Sequence, residues 1–205
     1  MENGNNQGFW LHKEMSPSQK SEFVQKAAFV LNAGGIMIAP TETVYGLFCI
    51  DKEKIYEIKK RPNNVPFQLI GGLVQTLALI DRSVEGGELA YALAKKFWPG
   101  PLSIVCKTIG LGEQALRVPN FALLEDIFAL LQYPLFASSL NLHGQIELTT
   151  FLEIKNLFES IPYEKIALFE DVPKKLASTV IKIIDNQVLV LREGLISKED
   201  IAKVH

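Results

Sequence analysis

The chain has 205 residues, 48% of them hydrophobic and 21% charged, and its 21 Lys and Arg against 23 Asp and Glu leave a net charge of −2. Such a balance excludes an intrinsically disordered chain, and 14 Gly with 10 Pro exclude a collagen-like one. A protein that coats nucleic acid is expected to show a pI above about 9, whereas this sequence has a pI near 6.0.

Residues 1–15 read as a polar N-terminal segment without the basic start and apolar run of a secretory signal. No apolar stretch reaches the about 18 residues that a membrane helix needs. A soluble, cytoplasmic protein with no membrane partner is the expectation. Ser16-Pro17 then opens a helix whose apolar residues recur at Phe23, Ala27, Val30 and Leu31 and which Gly34-Gly35 stops. Positions 36–39 predict a buried strand. Asp51 caps a short helix carrying Ile55 and Ile58, ended by Arg61-Pro62. Further strands are predicted over 67–74, 102–107, 135–138, 166–169, 180–184 and 188–191, with helices over about 87–97, 121–131, 150–159 and 198–204. Cys49 and Cys106 lie inside apolar runs and read as reduced core thiols.

Alternating helices and strands predict an α/β layer architecture. Asp185-Asn186-Gln187 is too short for a parallel crossover and suits a hairpin, so the sheet is expected to be mixed. A single domain over 16–205 fits this pattern.

Several chemistries fall away. Gly110-Leu111-Gly112-Glu113-Gln114-Ala115 formally matches a dinucleotide fingerprint, but Pro119 cuts short the helix it needs and no carboxylate follows at the required distance. A glycine-rich turn is the better reading. None of the double glycines leads into a phosphate-binding loop of the Gly-Lys-Ser/Thr kind. His12, His143 and His205 are scattered singly, which disfavours zinc, any other metal-ligand cluster, and a His-dependent hydrolase.

What remains is a series of short polar motifs at strand and helix ends: Pro40-Thr41-Glu42-Thr43-Val44-Tyr45-Gly46-Leu47, Lys59-Lys60-Arg61-Pro62, Phe97-Trp98-Pro99-Gly100-Pro101-Leu102, Arg117-Val118-Pro119, Ser139-Leu140-Asn141, Ser178-Thr179-Val180 and Leu191-Arg192-Glu193-Gly194. Each has a bland reading. The first is a strand-turn-strand link, the second a basic last turn favoured by the helix dipole, and the third a packed aromatic turn.

In this order, over about 35–194, the motifs resemble the threonylcarbamoyl-AMP synthase family, also called YrdC-like. The resemblance implies a twisted mixed parallel and antiparallel sheet with helices packed around a concave basic cavity. It implies an ATP-binding nucleotidyltransferase that condenses L-threonine, bicarbonate and ATP, with Mg²⁺, into threonylcarbamoyl-adenylate and pyrophosphate. A downstream tRNA threonylcarbamoyl transferase complex would be the partner, with weak tRNA contact by the synthase itself. By the same resemblance Lys59 and Arg61 hold phosphates and are the catalytic residues, Ser139, Asn141 and Arg192 contact ATP, and Thr43, Arg117, Ala137 and Ser178 form the threonine site. A triphosphate does require convergent cations and hydroxyl or amide donors. The alternative is a divergent relative that binds nucleotide or RNA without this activity.

The chain also departs from the family pattern. Only eleven residues, 48–58, separate Leu47 from Lys59, a trimmed link. Val65 stands where Asn is usual and Ile70 where a threonine-contacting His is usual. Glu113 and Glu147 replace hydroxyl residues on the nucleotide side, and Leu140 puts bulk between Ser139 and Asn141. No side chain is marked as the general base, and His143 reads as a surface residue.

Overall fold

A computed structural model describes residues 6–10, 15–62, 65–141, 148–169 and 176–204. In chain order the elements are β1 (Asn6–Trp10), α1 (Pro17–Asn32), β2 (Ile36–Ala39), β3 (Gly46–Cys49), α2 (Lys52–Lys59), β4 (Gln68–Ile70), α3 (Leu73–Leu79), α4 (Gly87–Phe97), β5 (Leu102–Thr108), β6 (Gly112–Arg117), α5 (Ala122–Phe128), β7 (Leu135–Ser139), α6 (Phe151–Ser160), β8 (Lys165–Phe169), β9 (Thr179–Ile184), β10 (Gln187–Arg192) and α7 (Lys198–Ala202). The fold is α/β with mixed pairing, as the alternation predicts. The chain forms two compact units interleaved in sequence, one from Met1–Phe67 and Phe121–Lys175, the other from Gln68–Asn120 and Leu176–His205.

In the first unit the strand order is β1-β8-β2-β3-β7. Strand β8 is parallel to β1 and β2, while β3 runs antiparallel to β2 and β7. Strands β2, β3 and β8 are buried at every position, matching their near-continuous apolar sequences. Helix α1 starts at a capping box between Ser16 and Gln19 and buries Phe23, Ala27 and Leu31 completely. At the end of α6, Lys165 Nζ donates to the carbonyls of Glu159 (3.2 Å) and Ile161 (2.6 Å), closing the helix terminus. Burial holds its pKa below the ordinary lysine value.

In the second unit the order is β4-β6-β5-β9-β10. Here β4 is parallel to β6 and β5 to β9, with antiparallel hairpins joining β5 to β6 and β9 to β10. The first hairpin turns through Gly110 and Gly112 at φ 79° and 72°, so the segment resembling a dinucleotide fingerprint is a glycine turn. The second turns through Asp185 and Asn186, both at positive φ, as the short link predicts.

Three differences from the sequence-based expectation have local causes. The strand expected over 67–74 stops at Ile70, because Gly71-Gly72 breaks it and Gly72 becomes the N-cap of α3. Strand β6, rich in polar residues, reads as loop in isolation and exists because β5 and β4 flank it. Segment 1–15 contributes β1, recruited to the free side of β8.

Both cysteines are buried, and burial raises both thiol pKa values, Cys106 to about 12. Cys106 is therefore expected to stay protonated in the native state across neutral pH. An unfolded chain would release that proton near pH 9, so the associated stability is complete below that pH and drains away as pH rises toward 12. A colorimetric thiol reagent at pH 8 is expected to find no reactive thiol in the native protein and both after denaturation.

Candidate functional site

The predicted site residues fall into two groups, one per unit. In the first unit, Lys59 is the last residue of α2, where the helix dipole favours a cation. Lys60 adopts the left-handed conformation (φ 51°, ψ 42°) and ends the helix, and the amide of Arg61 returns to the Tyr56 carbonyl at 3.1 Å. Lys59 is only 3% exposed. Its Nζ donates to the Ser139 carbonyl and to Asn141 Oδ1, each at 2.5 Å, and Ser139 Oγ donates to the same Oδ1 at 3.1 Å. Lys59 thus reaches across about 80 positions of sequence to join the neighbouring Ser139 and Asn141 in one bonded cluster at the end of β7. Arg61 is outside that trio: its Nη2 donates to the Pro66 carbonyl at 3.3 Å and its guanidinium stacks over Phe67 at 4.8 Å. Burial lowers its pKa from the ordinary arginine value.

Thr43, 1% exposed, sits in the turn between β2 and β3. Thr41 Oγ1 donates to the Val44 carbonyl (2.8 Å), so the 2.9 Å contact between the two hydroxyls is donated by Thr43. The strand-turn-strand reading of this motif is therefore correct, and the turn fixes Thr43 in one orientation. Ala137, on β7, pairs with Phe48, and Ser139 with Gly46. A Cβ at position 46 would lie 2.1 Å from the Phe48 ring, so only glycine fits. Leu140 is 1% exposed and belongs to the core of this unit. Its bulk therefore does not intrude between Ser139 and Asn141. Tyr56 donates its hydroxyl to the Val65 carbonyl, so position 65 is held through its backbone. His143 and Glu147 lie outside the described residues.

In the second unit, Arg192 donates from Nε and Nη2 to the Ser178 carbonyl at 3.1 and 2.9 Å, and from Nη2 to Ser178 Oγ at 3.2 Å. Arg117, 4% exposed at the end of β6, directs Nε to the Gly100 carbonyl at 3.4 Å. The aromatic turn Phe97–Leu102 thereby orients a predicted substrate-binding cation, and Trp98 locks that turn by donating to the Leu102 carbonyl at 2.7 Å. Ile70 pairs directly with Arg117. Glu113, which the family resemblance aligns with a nucleotide-side hydroxyl residue, is ion-paired with Lys182 at 2.8 Å, which offsets its charge. An open cavity of about 810 Å³, lined by Val74, Leu77, Ile80, Arg82 and Tyr91 among others, contains none of the predicted site residues.

Sequence reasoning missed Thr179, which stands inside a recognised motif without an assigned role. Its hydroxyl accepts from the amides of Gly194 (2.9 Å) and Ile196 (3.0 Å) and donates to the Ile196 carbonyl (2.6 Å). It also missed Ser103 and Gln68, which are bonded to Ser178 directly and through one further contact.

The Sua5/yciO/yrdC family model, described as telomere recombination, matches residues 29–194. The chain belongs to the Sua5/YciO/YrdC family. It is 31% identical over 198 residues to the threonylcarbamoyl-AMP synthase of Bacillus subtilis, covering 88% of this chain and 56% of that protein. The chain thus spans about half the length of that curated relative. The crystal structure of Pyrococcus abyssi Sua5 complexed with L-threonine superposes with a TM-score of 0.81 at 27% identity, over 96% of this chain and 60% of that one. Escherichia coli YciO shares the fold at a TM-score of 0.78 and 24% identity, over 95% of this chain and 98% of its own. Among the described residues of this family member no three His, Cys, Asp or Glu converge as a metal site, and no helix is long and apolar enough to cross a membrane.

Proposed function

We propose that this family member is a cytoplasmic threonylcarbamoyl-AMP synthase that condenses L-threonine, bicarbonate and MgATP into threonylcarbamoyl-adenylate and pyrophosphate, for later transfer to tRNA. The observation that carries the reading is the Lys59, Ser139 and Asn141 cluster, a desolvated cation fixed beside a hydroxyl and an amide, which suits the phosphates of a nucleotide. In this reading Lys59 and Arg61 take the phosphates, and Arg192 with Ser139 and Asn141 takes the rest of the nucleotide. Arg117 is assigned to the threonine carboxylate, and Thr43, Ser178 and the backbone at Ala137 are assigned to threonine by the same resemblance. Mg²⁺ arrives as part of the MgATP substrate, ligated by phosphate oxygens and water.

The chemistry is positioning and charge stabilisation. The threonine amine attacks the carbon of bicarbonate and water leaves to give the carbamate, the carbamate oxygen attacks the α-phosphorus, and pyrophosphate leaves with its charge met by Mg²⁺ and the cations. The relatives named threonylcarbamoyl-AMP synthase and the threonine held by Pyrococcus abyssi Sua5 support this reading. So does the ion pair that neutralises Glu113.

Purified protein is expected to release pyrophosphate from MgATP only when threonine and bicarbonate are both present, as followed by a coupled phosphate assay. Release that ignores threonine would overturn the assignment. Salt-sensitive tRNA binding without turnover would favour the divergent RNA-binding relative instead.

A further inference from the structure

We infer that Gln68 and Ser103 belong to the amino-acid subsite, Gln68 as a binding residue that donates to the substrate side chain and Ser103 as a positioning residue that sets the polarity of the Ser178 hydroxyl. The identity of the amino acid rests on the function proposed above.

Sheet register brings these groups to one face of the second unit. Ser103 on β5 immediately precedes the Ile104–Leu116 pair, so it stands opposite Arg117 on β6. Gln68 on β4 pairs with Ala115, and Ile70 with Arg117. Paired residues and residues two apart share a face, so Gln68, Ile70, Ala115, Arg117 and Ser103 lie on the same side. Ala115 leaves room above β6, and the Gln68 side chain crosses the strand there to reach Ser103.

The hydrogens in this row can be assigned by counting. Ser103 Oγ donates to Gln68 Oε1 at 2.8 Å. A serine hydroxyl has one proton, so the 3.1 Å contact between Ser103 and Ser178 must be donated by Ser178. Arg192 Nη2 donates into Ser178 Oγ at 3.2 Å. Donation therefore runs one way, from Arg192 through Ser178 and Ser103 to Gln68. Two consequences follow for a ligand. Ser178 has committed its proton and can only accept, which suits an amine N–H. Gln68 has committed Oε1 and offers the two protons of Nε2, which suit an oxygen.

Together with the buried Arg117 cation, the face presents a carboxylate partner, an amine acceptor and a donor for a side-chain oxygen. That set fits an α-amino acid with a β-hydroxyl and disfavours valine, which would leave Nε2 without an acceptor.

Titration calorimetry with threonine, valine and ATP, each alone, tests the inference on the intact chain. Gln68→Glu retains the acceptor for Ser103 and removes the Nε2 donor. It is expected to weaken threonine binding at least about tenfold and to leave ATP and valine affinity unchanged. Ser103→Ala frees the Ser178 proton and is expected to shrink the threonine-to-valine preference several-fold, with ATP again unaffected. Gln68→Leu, with its melting temperature recorded, guards against a folding defect in the glutamate variant. Threonine binding within twofold of wild type in both Gln68 variants overturns the inference, as does a wild type that binds valine as well as threonine. If wild type binds threonine and loses it on Gln68→Glu yet releases no pyrophosphate, the inference stands and the synthase reading falls.

Discussion

Lys59→Ala is expected to reduce pyrophosphate release by about two orders of magnitude or more, the largest loss of activity we anticipate from one substitution. The side chain sits at 3% exposure with its ammonium 2.5 Å from the Ser139 carbonyl and from Asn141 Oδ1. Removing it takes away both the charge offered to the phosphates and the group that fixes Asn141. A stability cost accompanies this, about 2 kcal/mol for the lost charged hydrogen bonds, or roughly 4–8 °C in melting temperature for a chain of this size. Lys59→Met separates the two effects, since it keeps the alkyl stem and discards the charge. Both variants are expected to be inactive while the methionine variant melts closer to wild type. Arg61→Ala is expected to raise the KM for ATP with a smaller effect on melting, because Arg61 is held mainly by one 3.3 Å bond and stacking on Phe67. Normal turnover in either Lys59 variant would remove this residue from the phosphate site.

Legibility in the sequence followed how local each signal was. Helix α1 announced itself through Ser16-Pro17 and its apolar spacing, and the capping box is there. The β9–β10 hairpin followed from the short Asp185-Asn186 link. Strand β6 was illegible because Gly112, Glu113, Gln114 and Arg117 break any apolar run and only the flanking strands make these residues a strand. The same division runs through the candidate site. Lys59, Ser139 and Asn141 were marked by motif, and the fold does join them. The motifs gave no sign that Arg117 depends on the Gly100 carbonyl or that Leu140 turns into the core, since both facts come from register and chain direction. Gln68 escaped notice because its partner, Ser103, is 35 positions away and two strands over.

Thr179 shows how far such hidden positioning reaches. Completely buried, it accepts from the amides of Gly194 and Ile196 and donates to the Ile196 carbonyl. These bonds clamp the segment after β10 against the start of β9, directly beside Ser178 and Arg192. Thr179→Val preserves shape but leaves the buried amide and carbonyl of Ile196 and the half-buried amide of Gly194 without their partner, at about 1–3 kcal/mol for each buried unsatisfied group. A loss of about 3–5 kcal/mol is expected, seen as a fall in melting temperature of roughly 10 °C. Because Ser178 and Arg192 flank the clamp, the KM for ATP is expected to rise as well. Thr179→Ser keeps the hydroxyl and should recover most of both effects, losing only about 1 kcal/mol for the buried methyl. Gly194→Ala attacks the same clamp sterically. Its Cβ would stand 2.1 Å from the Ala177 carbonyl oxygen and 2.8 Å from the Thr179 nitrogen, so the backbone must move. If Thr179→Val melts with wild type, or if serine restores nothing, the hydroxyl is not what holds Ser178 and Arg192 together, and their 2.9 Å bond must be sufficient by itself.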